Sequence, residues 1–217
     1  MAFIPVKTPW LFKRIFPNYT WGIHTSKNVL YLTFDDGPNP NITPWTLNVL
    51  EHYNAKATFF CIGNNIQKYP NIFKNIIRRG HAVGNHTQHH VNGWKAKTKA
   101  YLKDVEKAQD IIQSTIQNSE FRIQNLFRPP YGKLKPKQGK ALLKEAYNIV
   151  MWDVLSFDWD KGTSKEKCYN NVVSKAKPGS IIVFHDSEKA AKNMQYVLPK
   201  VLDHFTAKGY SFEALTL

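Results

Sequence analysis

From about residue 28 onward, short β-branched or aromatic runs alternate with longer stretches in which apolar residues recur at helical spacing. The runs at 29–34, 57–62, 82–85, 126–128, 149–154, 180–185 and 211–217 read as strands, because they are short, apolar and bounded by turn residues. Between them, 43–53, 69–79, 98–117, 136–146, 164–176 and 194–208 read as helices. In the second of these, Ile72, Phe73, Ile76 and Ile77 fall on one face, which predicts core packing. Thr43 followed by Pro44 reads as an N-cap with proline at the first helical position, and Gly80 and Gly209 sit where a helix hands over to a strand. Strand and helix alternating in this way predict βα units around a parallel sheet, hence an α/β fold. The Gly-x-Gly-x-x-Gly fingerprint of dinucleotide-binding sheets is missing, so a barrel-like closure is favoured over an open doubly wound sheet.

The polar residues gain meaning from this frame. Asp35, His86, Arg128, Asp158 and His185 each fall at or just beyond the C-terminal end of a strand, where barrels and open parallel sheets assemble their sites. Asp35 and Asp36 adjoin in Thr33-Phe34-Asp35-Asp36-Gly37-Pro38, and neighbouring residues there point in divergent directions. Such a segment alone is more often only a turn. His86 and His90 change that reading, because at i and i+4 in a helical turn both imidazoles reach one metal; His89, at i+3 from His86, is an alternative partner. Two carboxylates and two imidazoles supply three ligands and leave one carboxylate over as a base. A three-ligand site keeps a position open for water, whose pKa zinc lowers from about 16 to roughly 7. That layout belongs to a hydrolase. His24, His52, His81 and His204 fit no such spacing and read as surface or second-layer residues.

Thr33 to Pro38, His86-Thr87-x-x-His90, Arg128-Pro129-Pro130-Tyr131-Gly132, Asp158-Trp159 and Val183-Phe184-His185 resemble, in order and spacing, the five motifs of the polysaccharide deacetylases, carbohydrate esterase family four. The resemblance implies a distorted (β/α) barrel of about seven parallel strands in a single domain, removing acetyl groups from N-acetylglucosamine polymers or acetylated sugars with one divalent ion. It further implies that Asp36, His86 and His90 hold the metal and that Asp35 is the general base. Arg128 would orient Asp35, and His185, kept charged by Asp158, would protonate the departing amine. The backbone N–H of Tyr131, with the metal, would steady the oxyanion. Trp159 and Val183 would wall the acetyl pocket and Pro130 would contact substrate, while Tyr131, Trp159 and, by its closeness to His90, Trp94 are expected stacking surfaces for sugar. Mixed histidine and carboxylate ligands suit zinc first, then cobalt, nickel or iron. Two positions depart from the family pattern: Leu155 stands where aspartate is frequent, and Val183 where leucine is usual, a change that widens the pocket by about one methylene. The rival functions are a deacetylase of a small cytosolic N-acyl metabolite and a non-catalytic carbohydrate-binding relative.

Composition narrows the picture further. At 217 residues with ordinary hydrophobic and charged content and no linker-like stretch, the chain reads as one catalytic domain, 28–217, preceded by an N-terminal extension, 1–27, packed on it. The net charge of +14 is spread over surface lysines without a recognition helix or zinc-finger spacing, so a carbohydrate is the expected partner and nucleic acid is not. Cys61 and Cys168 make no disulfide framework and read as a reduced core thiol and an incidental one. No apolar run is long enough to span a membrane, and the aromatic, basic N-terminus lacks the apolar core of a secretion signal, which points to the cytoplasm.

Overall fold

A computed structural model of the protein describes residues 5–117 and 123–217. Its centre is β1 (Val29–Asp35), buried along its whole length. Parallel to it lie β2 (Ala57–Cys61) on one side and β7 (Ile181–His185) on the other. β3 (Ala82–Asn85), β4 (Leu126–Phe127) and β5 (Asn148–Ile149) continue beyond β2, and β6 (Val154–Leu155) lies beyond β7. The order β5-β4-β3-β2-β1-β7-β6 makes a curled half-barrel of seven parallel strands, the distorted (β/α) barrel that the motifs imply. An eighth strand, β8 (Ser211–Phe212), pairs with Val29 and Leu30 at the start of β1.

Alternation along β1 explains where the site lies. Leu30, Leu32 and Phe34 face the helices α2 (Ile42–His52), α4 (Pro70–Arg78) and α8 (Ala191–Thr206) in the main core, each adding about 1.5–3 kcal/mol by burial. Val29 and Tyr31 point to the other side, into a smaller apolar cluster with Phe60, Leu126, Val150, Ile181 and Leu215 that fills the lower barrel. Thr33 and Asp35 continue that inner row upward, so the interior grades from apolar to ionisable toward the C-terminal strand ends. In α4 Phe73, Ile76 and Ile77 are buried as the periodicity predicts, while Ile72 on the same expected face is only half-buried. Gly80 and Gly209 have φ of 77° and 74°, the left-handed conformation that lets a helix turn into the next strand.

The remaining helices are α1 (Trp10–Ile15), α3 (Gly63–Lys68), α5 (Thr98–Ile116), α6 (Pro136–Lys144) and α7 (Lys165–Val173). α1 and α3 are too short to carry a periodic signal and go unpredicted. Among the described residues no helix is long and apolar enough to cross a membrane, and both cysteines are buried and unpaired.

Several boundaries differ from expectation for identifiable reasons. The single strand expected at 149–154 is two, because the carbonyls of Val150 and Met151 accept from Arg128 Nε (3.2 Å) and Nη2 (2.9 Å). There the backbone pairs with the N-terminal segment: Thr20 N–H donates to the Ile149 carbonyl (2.8 Å) and Met151 N–H to the Thr20 carbonyl (2.7 Å). Further bonds of the same segment, Leu155 N–H to Val6 (2.8 Å) and Ile23 N–H to Gly179 (2.8 Å), run it along the open side between β5 and β6. β8 stops at Phe212 because Leu215 N–H turns to the Thr58 hydroxyl. Thr43 is not the N-cap of α2; the helix starts at Ile42, the Asn39 side chain accepts from the N–H groups of Asn41 and Ile42, and the Thr43 hydroxyl is donated to Asp186.

Candidate active site

The tip of β1 separates the two aspartates by backbone conformation. Asp36 has φ of 80°, so the chain swings between them and their carboxylates take different neighbours. The turn is held from three directions. Asn65 Nδ2 donates to the Asp36 carbonyl (2.7 Å), Gly37 N–H donates to Asp186 Oδ1 (3.0 Å), and Asp186 N–H donates to the Asp35 carbonyl (3.1 Å). A Cβ on Gly37 would lie 2.2 Å from the Asp186 carboxylate, so only glycine fits.

Asp35 is buried and receives Arg128 Nη1 at 2.7 Å. The guanidinium is wholly enclosed, lies 4.1 Å above the Phe60 ring, and also donates to the Thr33 hydroxyl (2.7 Å). With its bonds to Val150 and Met151, it is a satisfied buried cation rather than a surface ion pair. Asp35 is thereby aimed by a fixed fork.

Asp36 faces His86 and His90, one ligand atom from each of the three lying within 4.8 Å of the others. The Nδ1–H of His86 donates to the Arg128 carbonyl (2.8 Å), which leaves its Nε2 lone pair on the Asp36 side. Burial is the dominant influence on His86 and lowers its pKa to about 4, so it is neutral near pH 7, as a ligand must be. His90 does not stand on a helical turn as the spacing suggests. Thr87 and His90 have φ of 63° and 55°, and this irregular loop brings the two imidazoles to 5.1 Å between ring centres. His89 points away, its Nδ1 2.5 Å from Asp104, and is not part of the cluster. Burial favours the neutral form of Asp36, but a contact with His90 and the fields of His185 and His86 outweigh it and hold the carboxyl below its usual range. Asp36 Oδ1 is nonetheless buried without a hydrogen-bond partner; His90 Nε2 lies 3.2 Å away. An ionised carboxylate oxygen left open opposite two imidazole nitrogens fits a divalent cation in donor type and number.

Across from this cluster, His185 ends β7. Asp158 grips it twice, accepting the backbone N–H (2.7 Å) and meeting Nδ1 (2.9 Å). Burial opposes the charged imidazolium, but the charges of Asp158, Asp36 and Asp35 prevail and raise its pKa to about 9. Trp159 covers one side of this imidazole at 4.7 Å between ring centres. Val183 is buried in register with Thr33, Pro130 is buried, and Tyr131, at φ of 60°, is exposed with its ring 4.6 Å from that of His90. Trp94 is exposed on the same side, with Lys133 Nζ 3.9 Å from its ring centre. Leu155 is buried beside Val183 and offers no polar group.

Three contributors escape sequence reasoning. Thr33 shares the Arg128 donor with Asp35, Asn65 braces the Asp36 carbonyl, and Asp186 ties the Gly37 turn to Thr43 of α2. Burial, reinforced by the charge of Asp36 though opposed by the Thr43 bond, pushes the Asp186 pKa up to about 8. Only its position after His185 hinted at Asp186, since the contact joins segments far apart in the chain.

The arrangement thus unites three groups able to hold a cation, a separately oriented carboxylate and a histidine held charged by an acid. Comparisons with known proteins identify the family. Residues 22–150 match the polysaccharide deacetylase family. A peptidoglycan-N-acetylglucosamine deacetylase of Bacillus cereus is 36% identical over 191 residues, which cover 88% of this chain and 68% of that protein. A chitooligosaccharide deacetylase of Azorhizobium caulinodans is 34% identical, with 76% of each chain covered. The crystal structure of the Bc1960 peptidoglycan N-acetylglucosamine deacetylase superposes with a TM-score of 0.86 at 34% identity, covering 96% of this chain and 95% of that one. The chain belongs to the polysaccharide deacetylase family, carbohydrate esterase family four, and the deacetylases it resembles are hydrolases of carbon–nitrogen bonds.

Proposed function

We propose that this protein is a metal-dependent N-deacetylase acting on N-acetylglucosamine-containing oligo- or polysaccharide, of chitin or peptidoglycan type, and releasing acetate. The observation that carries the reading is the open Asp36 oxygen opposite His86 and His90, beside an aspartate that Arg128 already occupies. Asp36, His86 and His90 would hold the ion, zinc being the best match to this donor set. When bound, such an ion supplies Lewis acidity, bringing the pKa of water from about 16 towards 7 and polarising the acetyl oxygen.

The protein's own residues do the rest. Asp35, steered by Arg128 and Thr33, takes the proton of the attacking water. His185 gives up its Nε2 proton to the leaving amine, since its Nδ1 is engaged by Asp158. The N–H of Tyr131 steadies the oxyanion, a donor of a kind worth about 3 kcal/mol. Pro130, Trp159 and Val183 wall the acetyl methyl, while exposed Tyr131 and Trp94 offer ring faces to the sugar. The test is acetate release from chitin oligomers, peptidoglycan fragments and acetylated xylan by chelated protein, with and without zinc or cobalt. Metal-restored release from an N-acetylated glycan is expected. Turnover indifferent to chelation would remove the metal, and exclusive release from xylan would replace the amide by an ester.

A further inference from the structure

We infer that α1 is a docking face for the anionic surface of a lipid bilayer, placed so that the site opens away from the membrane. Trp10, Leu11, Phe12 and Ile15 are 67%, 51%, 49% and 57% exposed, although all belong to one six-residue helix. Of the other large apolar side chains exposed among the described residues, Trp94 and Tyr131 flank the candidate site and Leu217 ends the chain, so α1 carries the one concentrated patch.

Its orientation is the reverse of ordinary amphipathic packing. A surface helix normally turns its apolar stripe to the core. Here the inward residue is Lys13, whose Nζ meets Asp153 Oδ1 at 2.5 Å, and no residue of α1 is buried. The helix is therefore tied down by an ion pair and leaves a tryptophan, a phenylalanine and two aliphatic side chains in solvent, the composition of an interfacial anchor.

Charge selects the occupant. Lys7 also meets Asp153 (2.5 Å), its Nζ donates to the Lys175 carbonyl (2.9 Å), Lys177 lies close enough to act on its charge, and Arg14 sits 6.0 Å from the Trp10 ring centre. Lys7 and Lys13 thus share one carboxylate that is 1% exposed, and with Arg14 on the same helix and Lys177 beside Lys7 the local excess of positive charge matches anionic headgroups. Position completes the argument. Asp153 accepts from the hydroxyl of Ser180, just before β7, and β7 then runs to His185 at the far end, roughly 13 Å at 3.3 Å per residue. Docking through α1 leaves the strand ends that carry the site facing the aqueous side.

The experiment is co-sedimentation of the full chain with vesicles of phosphatidylcholine alone and with one-third phosphatidylglycerol, comparing wild type with the triple variant Trp10→Ser, Phe12→Ser, Ile15→Ser. Wild type should pellet with anionic vesicles and bind neutral ones more weakly, and the variant should lose roughly tenfold or more of its partitioning. Wild type remaining in the supernatant, or a variant that partitions equally, overturns the proposal. So does sedimentation equilibrium showing a wild-type dimer that the triple variant dissolves, which would assign the face to a second copy. The vesicle measurement needs no turnover, so it stands or falls separately from the enzymatic reading.

Discussion

Two aspartates at opposite ends of the sheet, Asp36 and Asp153, meet their neighbours in contrasting ways. Both are held below the usual carboxylate range despite burial. Asp153 has each oxygen taken, Oδ1 by Lys13 and Oδ2 by Lys7 and Ser180, and it ties the N-terminal segment to the strand bottoms. Asp36 stays charged through its histidine neighbours, yet keeps Oδ1 without a partner. A saturated acid is a strut, whereas an ionised acid with an idle oxygen in a cluster of imidazoles is a place for a cation.

The contrast can be broken by substitution. The largest effect is expected at Asp35: Asp35→Asn should lower the rate of acetate release by about 10²–10⁴-fold while calorimetry still detects zinc binding. Asp36→Asn should do the converse, weakening zinc affinity by roughly 100-fold or more and removing the rise in melting temperature that zinc gives the wild type. If Asp36→Asn bound zinc normally, the two acids would not differ in kind. A smaller effect concerns pH. His185 is raised toward about 9, so its acid form is complete below its ordinary value near 6.5 and is lost as pH rises through the raised one. A bound cation repels the same proton, placing the alkaline midpoint of kcat/KM between these values. Asp158→Asn removes the charge that retains the proton, so that midpoint should fall by about one unit. An unmoved profile would discard His185 as the acid. Smallest is Asp153→Asn, whose lysine partners are 31% and 32% exposed: about 1 kcal/mol of stability, or about 2–4 °C in melting temperature, with turnover unchanged.

Local chemistry was legible in the sequence. The buried run of β1, the one-sided face of α4, the glycines at 80 and 209 and the polar residues at strand ends all depend on neighbours along the chain. What escaped depends on distant partners. Nothing near residues 149–154 announces that Arg128 will claim two of their carbonyls, and nothing near Asp186 announces Thr43. The spacing of the histidines left His89 and His90 open and the family motif chose His90; the structure brings His86 and His90 together, but through two left-handed residues in a loop where a helical turn was expected. α1 was hidden by more than its shortness: its apolar residues face outward, where periodicity arguments do not look.

Arg128 serves two masters. Its guanidinium stitches the unladdered stretch at Val150 and Met151 to the tip of β1 and, through the same planar group, sets the angle of Asp35. Laboratory evolution of a hardier or a faster enzyme therefore cannot treat this position as free. Any replacement that loosens the seam also unsettles the base, so durability and turnover are bound to a single side chain and must be inherited together.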